Sequence, residues 1–239
     1  MKNKSIFNKI VKTVEETLFP HYVCPFCETE TPNGTMCADC EKYYIQPKFC
    51  AKCGEHITED SLVCNDCKEV DRIFDQSFSV LNYEDKVAIA IQKLKFKQAK
   101  FLAKDFAKIL AGKYATLNIK VDVVTFVPCT ANRIKERGYN QAKEIAQEFC
   151  LLTGLPFAEV LSKTKETLHQ TELTKKQRLQ NLIGSFSVVD KWFIKGKNIL
   201  VIDDVFTTGS TMIACAKELR KAKADKIYCL TLAKTAIKK

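Results

Sequence analysis

Asn198-Ile199-Leu200-Val201-Ile202-Asp203-Asp204-Val205-Phe206-Thr207-Thr208-Gly209-Ser210-Thr211 is the stretch that decides how this chain folds. Residues 199–202 are apolar and mostly β-branched, which suits a strand buried on both faces and hence a parallel sheet. Two adjacent carboxylates follow, then hydroxyl side chains around a single glycine, then a helical pattern over residues 210–224. The carboxyl end of a parallel strand is where an α/β sheet places ligands. Hydroxyls, a glycine and the free amides of a helix N-terminus make a cradle for a phosphate dianion. The carboxylates of Asp203 and Asp204 can accept hydrogen bonds from a ribose diol and hold a hydrated Mg²⁺. A Walker loop would need a lysine after its second glycine, and this stretch has none.

Outward from that loop, strands and helices alternate from about residue 74. Residues 77–83 alternate as a strand and 85–111 read as one helix. Residues 121–127 form an almost unbroken β-branched run, and a helix with Ala142, Ile145, Ala146 and Phe149 on one side comes next. A weak strand at 158–161 and a final strand at 226–232 complete the pattern, which predicts an α/β fold with a parallel sheet flanked by helices.

The run at 121–127 ends in Pro128-Cys129-Thr130-Ala131-Asn132-Arg133, followed by Arg137-Gly138-Tyr139-Asn140-Gln141. This loop also follows a parallel strand, so it opens on the same edge of the sheet as Asp203. Arg133 and Arg137 then lie where a pyrophosphate would sit if a ribose lay over Asp203 and Asp204. The competing reading is a charge cluster at a helix start, with Arg137 paired to a neighbouring carboxylate. Only five of the 38 basic residues are arginines (Arg72, Arg133, Arg137, Arg178 and Arg220), so lysine serves general solvation. An arginine therefore hints at a forked donor for phosphate or carboxylate.

Eight of the 12 cysteines form four Cys-x-x-Cys pairs: Cys24/Cys27, Cys37/Cys40, Cys50/Cys53 and Cys64/Cys67. Two intervening residues let both sulfurs of a tight turn point at one ion. Gly34 and Gly54 supply the backbone freedom for such turns. Residues 21–70 hold little that could build an apolar core, the situation in which a structural metal is used. Two tetrahedral Cys₄ zinc sites from neighbouring pairs are the simplest assignment; interleaved pairing and an iron–sulfur cluster are the alternatives. Each such zinc centre carries about −2, lowering the formal charge of +10 to about +6. That balance suits phosphate or nucleic-acid contact without requiring it.

Residues 1–20 are predicted as an amphipathic helix, with Ile6, Phe7, Ile10, Val11, Val14 and Leu18 on one stripe and Pro20 ending it. It packs on the protein or a partner, or lies on a membrane surface. No apolar run approaches the roughly 20 residues that span a bilayer. The start lacks the apolar core of a signal peptide. The expected location is therefore cytoplasmic, and in a reducing cytosol cysteines paired at this spacing point to metal.

Two further stretches are suggestive. Residues 163–181 are polar and lysine-rich and read either as a hood closing over a ligand, with Lys163, Gln170 and Arg178 as contacts, or as an exposed loop and helix. Residues 92–100 interleave basic and aromatic residues and read either as a grip for single-stranded DNA or as an ordinary amphipathic helix.

The Asp203 loop resembles the phosphoribosyl pyrophosphate (PRPP) motif of type I phosphoribosyltransferases. Val127-Pro128, Arg133 to Gln141, Thr167 with Gln170, Arg178 with Asn181, and the Asp203 loop, behind a double cysteine-rich ribbon, together resemble the ComF family. The resemblance implies a type I phosphoribosyltransferase fold at 73–239 behind a double zinc-ribbon module at 21–72. It implies that Asp203 and Asp204 take the ribose diol, and that Thr207, Thr208, Gly209, Ser210 and Thr211 take the 5′-phosphate. Val205, Cys129 and Thr130 would also touch PRPP, with Mg²⁺ bound alongside and Arg133 and Arg137 stabilising the leaving pyrophosphate. Family members often carry Leu-His after Val-Pro, where this chain has Cys129-Thr130. The biology implied is natural competence: handling of incoming single-stranded DNA beside a ComFA-like helicase. PRPP would be either the substrate for transfer to an acceptor that the sequence does not identify, or the regulatory ligand of a non-catalytic DNA- or partner-binding factor.

Overall fold

A computed structural model describes residues 22–32, 34–45, 50–54, 57, 63–69, 72–95, 99–165, 182 and 184–235. The chain divides into two compact units, Met1–Lys42 and Tyr43–Lys239. The stretch 1–20 lies outside the described residues.

In the first unit, Val23 and Glu30 form an antiparallel bridge, and a short helix α1 (Ala38–Glu41) follows Cys37. The tight turns come from the backbone: the Glu28 amide donates to the Cys24 carbonyl at 2.9 Å and the Cys40 amide to the Cys37 carbonyl at 2.9 Å.

The second unit is built on a sheet of β1 (Gln76–Asn82), β2 (Val123–Phe126), β5 (Ile199–Phe206) and β6 (Ile227–Lys234). Its order is β1-β6-β5-β2 with every pairing parallel. The expected parallel sheet is therefore present, with the loop-bearing strand β5 inside it. The outer edge of β1 is covered by residues 43–45, where Tyr44 bridges Leu81 in antiparallel sense. The outer edge of β2 is met by Phe157 in a parallel bridge to Val124. An antiparallel pair, β3 (Leu161–Lys163) and β4 (Phe186–Val188), stands apart from the main sheet.

The helices are α2 (Asn65–Glu69), α3 (Asp85–Leu94), α4 (Leu102–Ala115), α5 (Ala131–Arg137), α6 (Gln141–Thr153), α7 (Lys191–Ile194) and α8 (Ser210–Lys221). Side chains alternate across the sheet. Ile199 and Val201 of β5 and Ile227 and Cys229 of β6 share one apolar cluster with Met212, Ile213, Cys215, Ala216 and Leu219 of α8. The intervening Leu200, Ile202 and Leu230, all 0 % exposed, turn to the face against which α4 and α6 pack.

Three expectations need correction. The helix read as continuous over 85–111 is two, α3 and α4. The Tyr139 hydroxyl donates to the Leu94 carbonyl, which an unbroken helix would commit to the amide four residues on. The weak strand at 158–161 is displaced: the chain touches β2 at Phe157 and pairs as β3 only from Leu161. The strand expected to stop at Ile202 runs on to Phe206, because Asp203, Val205 and Phe206 keep pairing with Thr231, Ala233 and Lys234.

The second cysteine cluster shares the core of the sheet-bearing unit. Cys50, Cys53 and Cys67 lie in the same apolar cluster as Phe74, Phe206 and the buried face of α8. Gly54, at φ +68°, turns the chain where a Cβ would meet the Ser77 carbonyl at 3.0 Å. The Ser77 amide in turn donates to the Lys52 carbonyl at 2.8 Å. Among the described residues no helix is long and apolar enough to cross a membrane.

Candidate functional site

Parallel pairing puts the carboxyl ends of β2 and β5 side by side. The Val127 amide donates to the Ile202 carbonyl at 3.0 Å, so Pro128, Cys129 and Thr130 leave the sheet next to Asp203. The two loops singled out in the sequence therefore open on one edge. Asp203, Asp204 and Val205 occupy β5; Thr207, Thr208 and Gly209 make the turn; Ser210 and Thr211 open α8.

The turn is held by its own hydroxyls and by glycine. Thr208 Oγ1 and Ser210 Oγ are 2.7 Å apart, and the Ser210 amide reaches Thr208 Oγ1 at 3.4 Å. Gly209 caps α8 at φ +79°; a Cβ there would lie 2.6 Å from the Phe206 ring and collide with the Arg72 guanidinium. The acidic pair folds back on the backbone: Asp203 Oδ1 accepts from the Asp204 amide at 2.9 Å and Asp204 Oδ1 from the Val205 amide at 2.7 Å. Burial, reinforced by the Asp204 carboxylate, pushes the Asp203 carboxyl well above its ordinary range, against the pull of Lys95. A hydrogen-bond donor or a cation bound beside it would favour the charged carboxylate.

Across the edge, α5 has no buried residue, and Arg133 and Arg137 are half-exposed on it. Burial raises the Cys129 thiol, although Arg137, Arg133 and Lys163 are all close enough to pull it down. Three cations thus gather at the end of β2, while the thiol itself is not activated. Thr130 is 5 % exposed, and its hydroxyl has no hydrogen-bond partner among the described residues.

The motif after Arg137 turns out to build the fold. Asn140 caps α6, accepting from the Lys143 amide at 3.2 Å, and donates to the Val127 carbonyl at 3.0 Å. Gln141 is 5 % exposed and Tyr139 8 %. These residues lock α5 and α6 to the end of β2. Arg220 is also structural: it binds Asp75 at 2.8 Å and the Ile73 carbonyl at 3.2 Å. Lys163 ends β3; Thr167, Gln170, Arg178 and Asn181 lie outside the described residues. Of the stretch 92–100, Lys95 acts on Asp203 and Lys100 pairs with Glu144 at 2.9 Å, while 96–98 lie outside the described residues.

Sequence reading missed what lies behind the loop. Arg72, 1 % exposed, donates from Nη1 to the Thr208 carbonyl at 2.7 Å. Lys234, 4 % exposed, lies 4.2 Å over the Phe206 ring and donates to the Cys53 carbonyl at 3.1 Å. The scarcity of arginine was the only signal for Arg72, and nothing marked Lys234.

The cysteines gather as Cys24, Cys27, Cys37 and Cys40, and as Cys50, Cys53, Cys64 and Cys67, each set with its sulfurs within 4.8 Å of one another. Neighbouring pairs therefore share a site, and the interleaved arrangement is excluded. Zn–S bonds of about 2.3 Å in a tetrahedron put sulfurs about 3.8 Å apart. Cys27 and Cys37 sulfurs are 3.4 Å apart and Cys53 and Cys64 sulfurs 3.6 Å, so both sets fit the ion.

Residues 94–239 match the phosphoribosyl transferase domain family. The chain belongs to that family. Its fold is the type I phosphoribosyltransferase fold, and residues 14–68 match the double zinc ribbon domain family. Outside its phosphoribosyl transferase domain the likeness also runs through the ribbon. Competence protein F of Haemophilus influenzae is 29% identical over 84% of this chain and 91% of its own length. Competence protein ComFC of Bacillus subtilis is 28% identical over 88% of this chain and 77% of its own. DNA utilization protein YhgH of Escherichia coli K12 is 26% identical over 87% of this chain and 96% of its own. The resemblance to the ComF family thus extends over most of the phosphoribosyl transferase chain and its ribbon.

Proposed function

We propose that the edge formed by β2 and β5 binds PRPP with Mg²⁺ and that the protein works in natural competence, on incoming single-stranded DNA. The observation that carries this is the acidic pair of β5 running into a hydroxyl-lined, glycine-capped helix start, with Arg133 and Arg137 on the adjoining loop. Asp203 and Asp204 accept from the ribose hydroxyls, and Thr207, Thr208, Gly209, Ser210 and Thr211 donate to the 5′-phosphate. Val205, Cys129 and the buried Thr130 hydroxyl line the path to Arg133 and Arg137, which face the pyrophosphate. Mg²⁺ supplies neutralisation of the pyrophosphate charge when bound with PRPP. The arginines would stabilise charge that grows on the leaving group as C1′ separates from it.

The competence role is supported by the relatives' names, and the ComF resemblance implies a ComFA-like helicase as partner. Those names speak of DNA use and competence, not of a transferase. They favour a second reading, in which PRPP is a regulatory ligand. Pyrophosphate release separates the two: turnover with added candidate acceptors supports transfer, and tight PRPP binding without release supports regulation. An electrophoretic shift with single-stranded DNA across a salt series tests the DNA contact, which weakens as salt rises if phosphates carry it.

A further inference from the structure

The Thr207–Thr211 turn is short and built on a left-handed glycine, and the Thr208 and Ser210 hydroxyls are not its only support. The described structure supplies further support from behind, through one aromatic ring and two buried cations. Phe206, 2 % exposed, has the Arg72 guanidinium 5.8 Å from its centroid and Lys234 Nζ at 4.2 Å. Phe74 meets the same ring edge-on at 6.4 Å. Arg72 ties this assembly forward to the loop through the Thr208 carbonyl, at 2.7 Å. Lys234 ties it backward to the second cysteine cluster through the Cys53 carbonyl, at 3.1 Å.

Both cations are deeply buried, and a buried charge is retained only where its partners hold it. The Cys53 carbonyl belongs to the Cys50-to-Gly54 turn, where the Gly54 amide donates to the Cys50 carbonyl at 2.9 Å. That turn keeps its geometry when its sulfurs share an ion with Cys64 and Cys67. The ligand set and the loop are therefore joined by a continuous chain: cysteine turn, Lys234, Phe206, Arg72, Thr208.

We propose that Arg72 and Lys234 are positioning residues that couple the second Cys₄ site to the phosphate loop, so that zinc held by Cys50, Cys53, Cys64 and Cys67 sets the affinity of the loop for PRPP. The ligand in this statement rests on the PRPP reading above; the coupling does not. Among the described residues this chain of contacts does not run through Cys24, Cys27, Cys37 and Cys40. Coupling between sites is reciprocal, so PRPP must raise the zinc affinity of the second site by the factor by which that zinc strengthens PRPP binding.

The test uses the full-length, zinc-loaded protein and compares Arg72→Met, Arg72→Lys, Cys64→Ser and Cys27→Ser. Hydrogen exchange is read on the peptide that covers residues 203–211, zinc content is measured for each variant, and PRPP with Mg²⁺ is titrated by calorimetry. Arg72→Met is expected to keep both zinc ions, to exchange its loop amides faster, and to bind PRPP about tenfold or more weakly, the size of one lost charge-assisted hydrogen bond. Arg72→Lys keeps a donor and recovers most of the affinity. Cys64→Ser speeds loop exchange and Cys27→Ser does not. Unchanged loop exchange in either Arg72→Met or Cys64→Ser, or equal effects from Cys27→Ser and Cys64→Ser, overturns the coupling. Wild-type protein that binds no PRPP overturns the ligand instead, while the exchange comparison still decides the coupling. Should the variants fail to fold, equilibrium competition for zinc between wild type and a chromophoric chelator decides it: saturating PRPP raises the zinc affinity of one of two equivalents if the sites are coupled and of neither if they are not.

Discussion

Gly209 is where the chain leaves β5 and enters α8, at φ +79° and with the Phe206 ring 2.6 Å from where a Cβ would stand. Left-handed backbone alone costs a side-chain-bearing residue about 1–2 kcal/mol, and here the ring and the Arg72 guanidinium must also move. Gly209→Ala is therefore expected to lower stability in urea unfolding by at least that amount and to abolish PRPP binding. Asp203 gives a pH signature. Its folded pKa is raised by burial and by Asp204, so the folded state keeps a proton that the unfolded chain has already lost. The stability from that proton is complete below the ordinary carboxylate range and is lost as pH rises through the folded value. Asp203→Asn should thus melt above wild type at neutral pH, with the difference shrinking towards pH 4. A constant difference across that range would contradict the assignment.

At the scale of the element, α5 and the joint behind it divide the work. No residue of α5 is buried, so replacing Arg133 and Arg137 by alanine should leave the melting point nearly unchanged. The same double variant should weaken PRPP binding by roughly tenfold to a hundredfold per arginine, as expected for charge-assisted hydrogen bonds. Asn140→Ala should do the reverse, costing about 1–2 kcal/mol through the lost cap of α6 and the lost bond to Val127. Urea unfolding beside calorimetry separates the two. The contrast also marks what the sequence made legible. Buried strands announced themselves through β-branched runs, and both candidate loops are legible from the residues that follow such runs. Periodicity could not show that the Tyr139 hydroxyl ends α3 at Leu94, nor that Asp203 to Phe206 stay in the sheet, because both depend on partners far along the chain.

For the whole molecule the same limit is sharper. The eight zinc-binding cysteines were plain from spacing, but not the merging of the second set with the sheet's core. Arg72 and Thr208 are 136 residues apart and Cys53 and Lys234 181 apart, so no local pattern could pair them. Because Cys50, Cys53 and Cys67 share the apolar cluster of α8, losing the second zinc should unsettle that core. Cys67→Ser is expected to lower the main melting transition by roughly 10 °C, and Cys24→Ser to leave it in place; scanning calorimetry with zinc analysis reads both. The central claim, that β2 and β5 together present a PRPP site, is tested most directly by isothermal titration of the zinc-loaded protein with PRPP and Mg²⁺, alongside Asp204→Ala. Saturable one-to-one binding by wild type and its loss in Asp204→Ala is the expected result. No heat from wild type, or equal affinity in the variant, would contradict it.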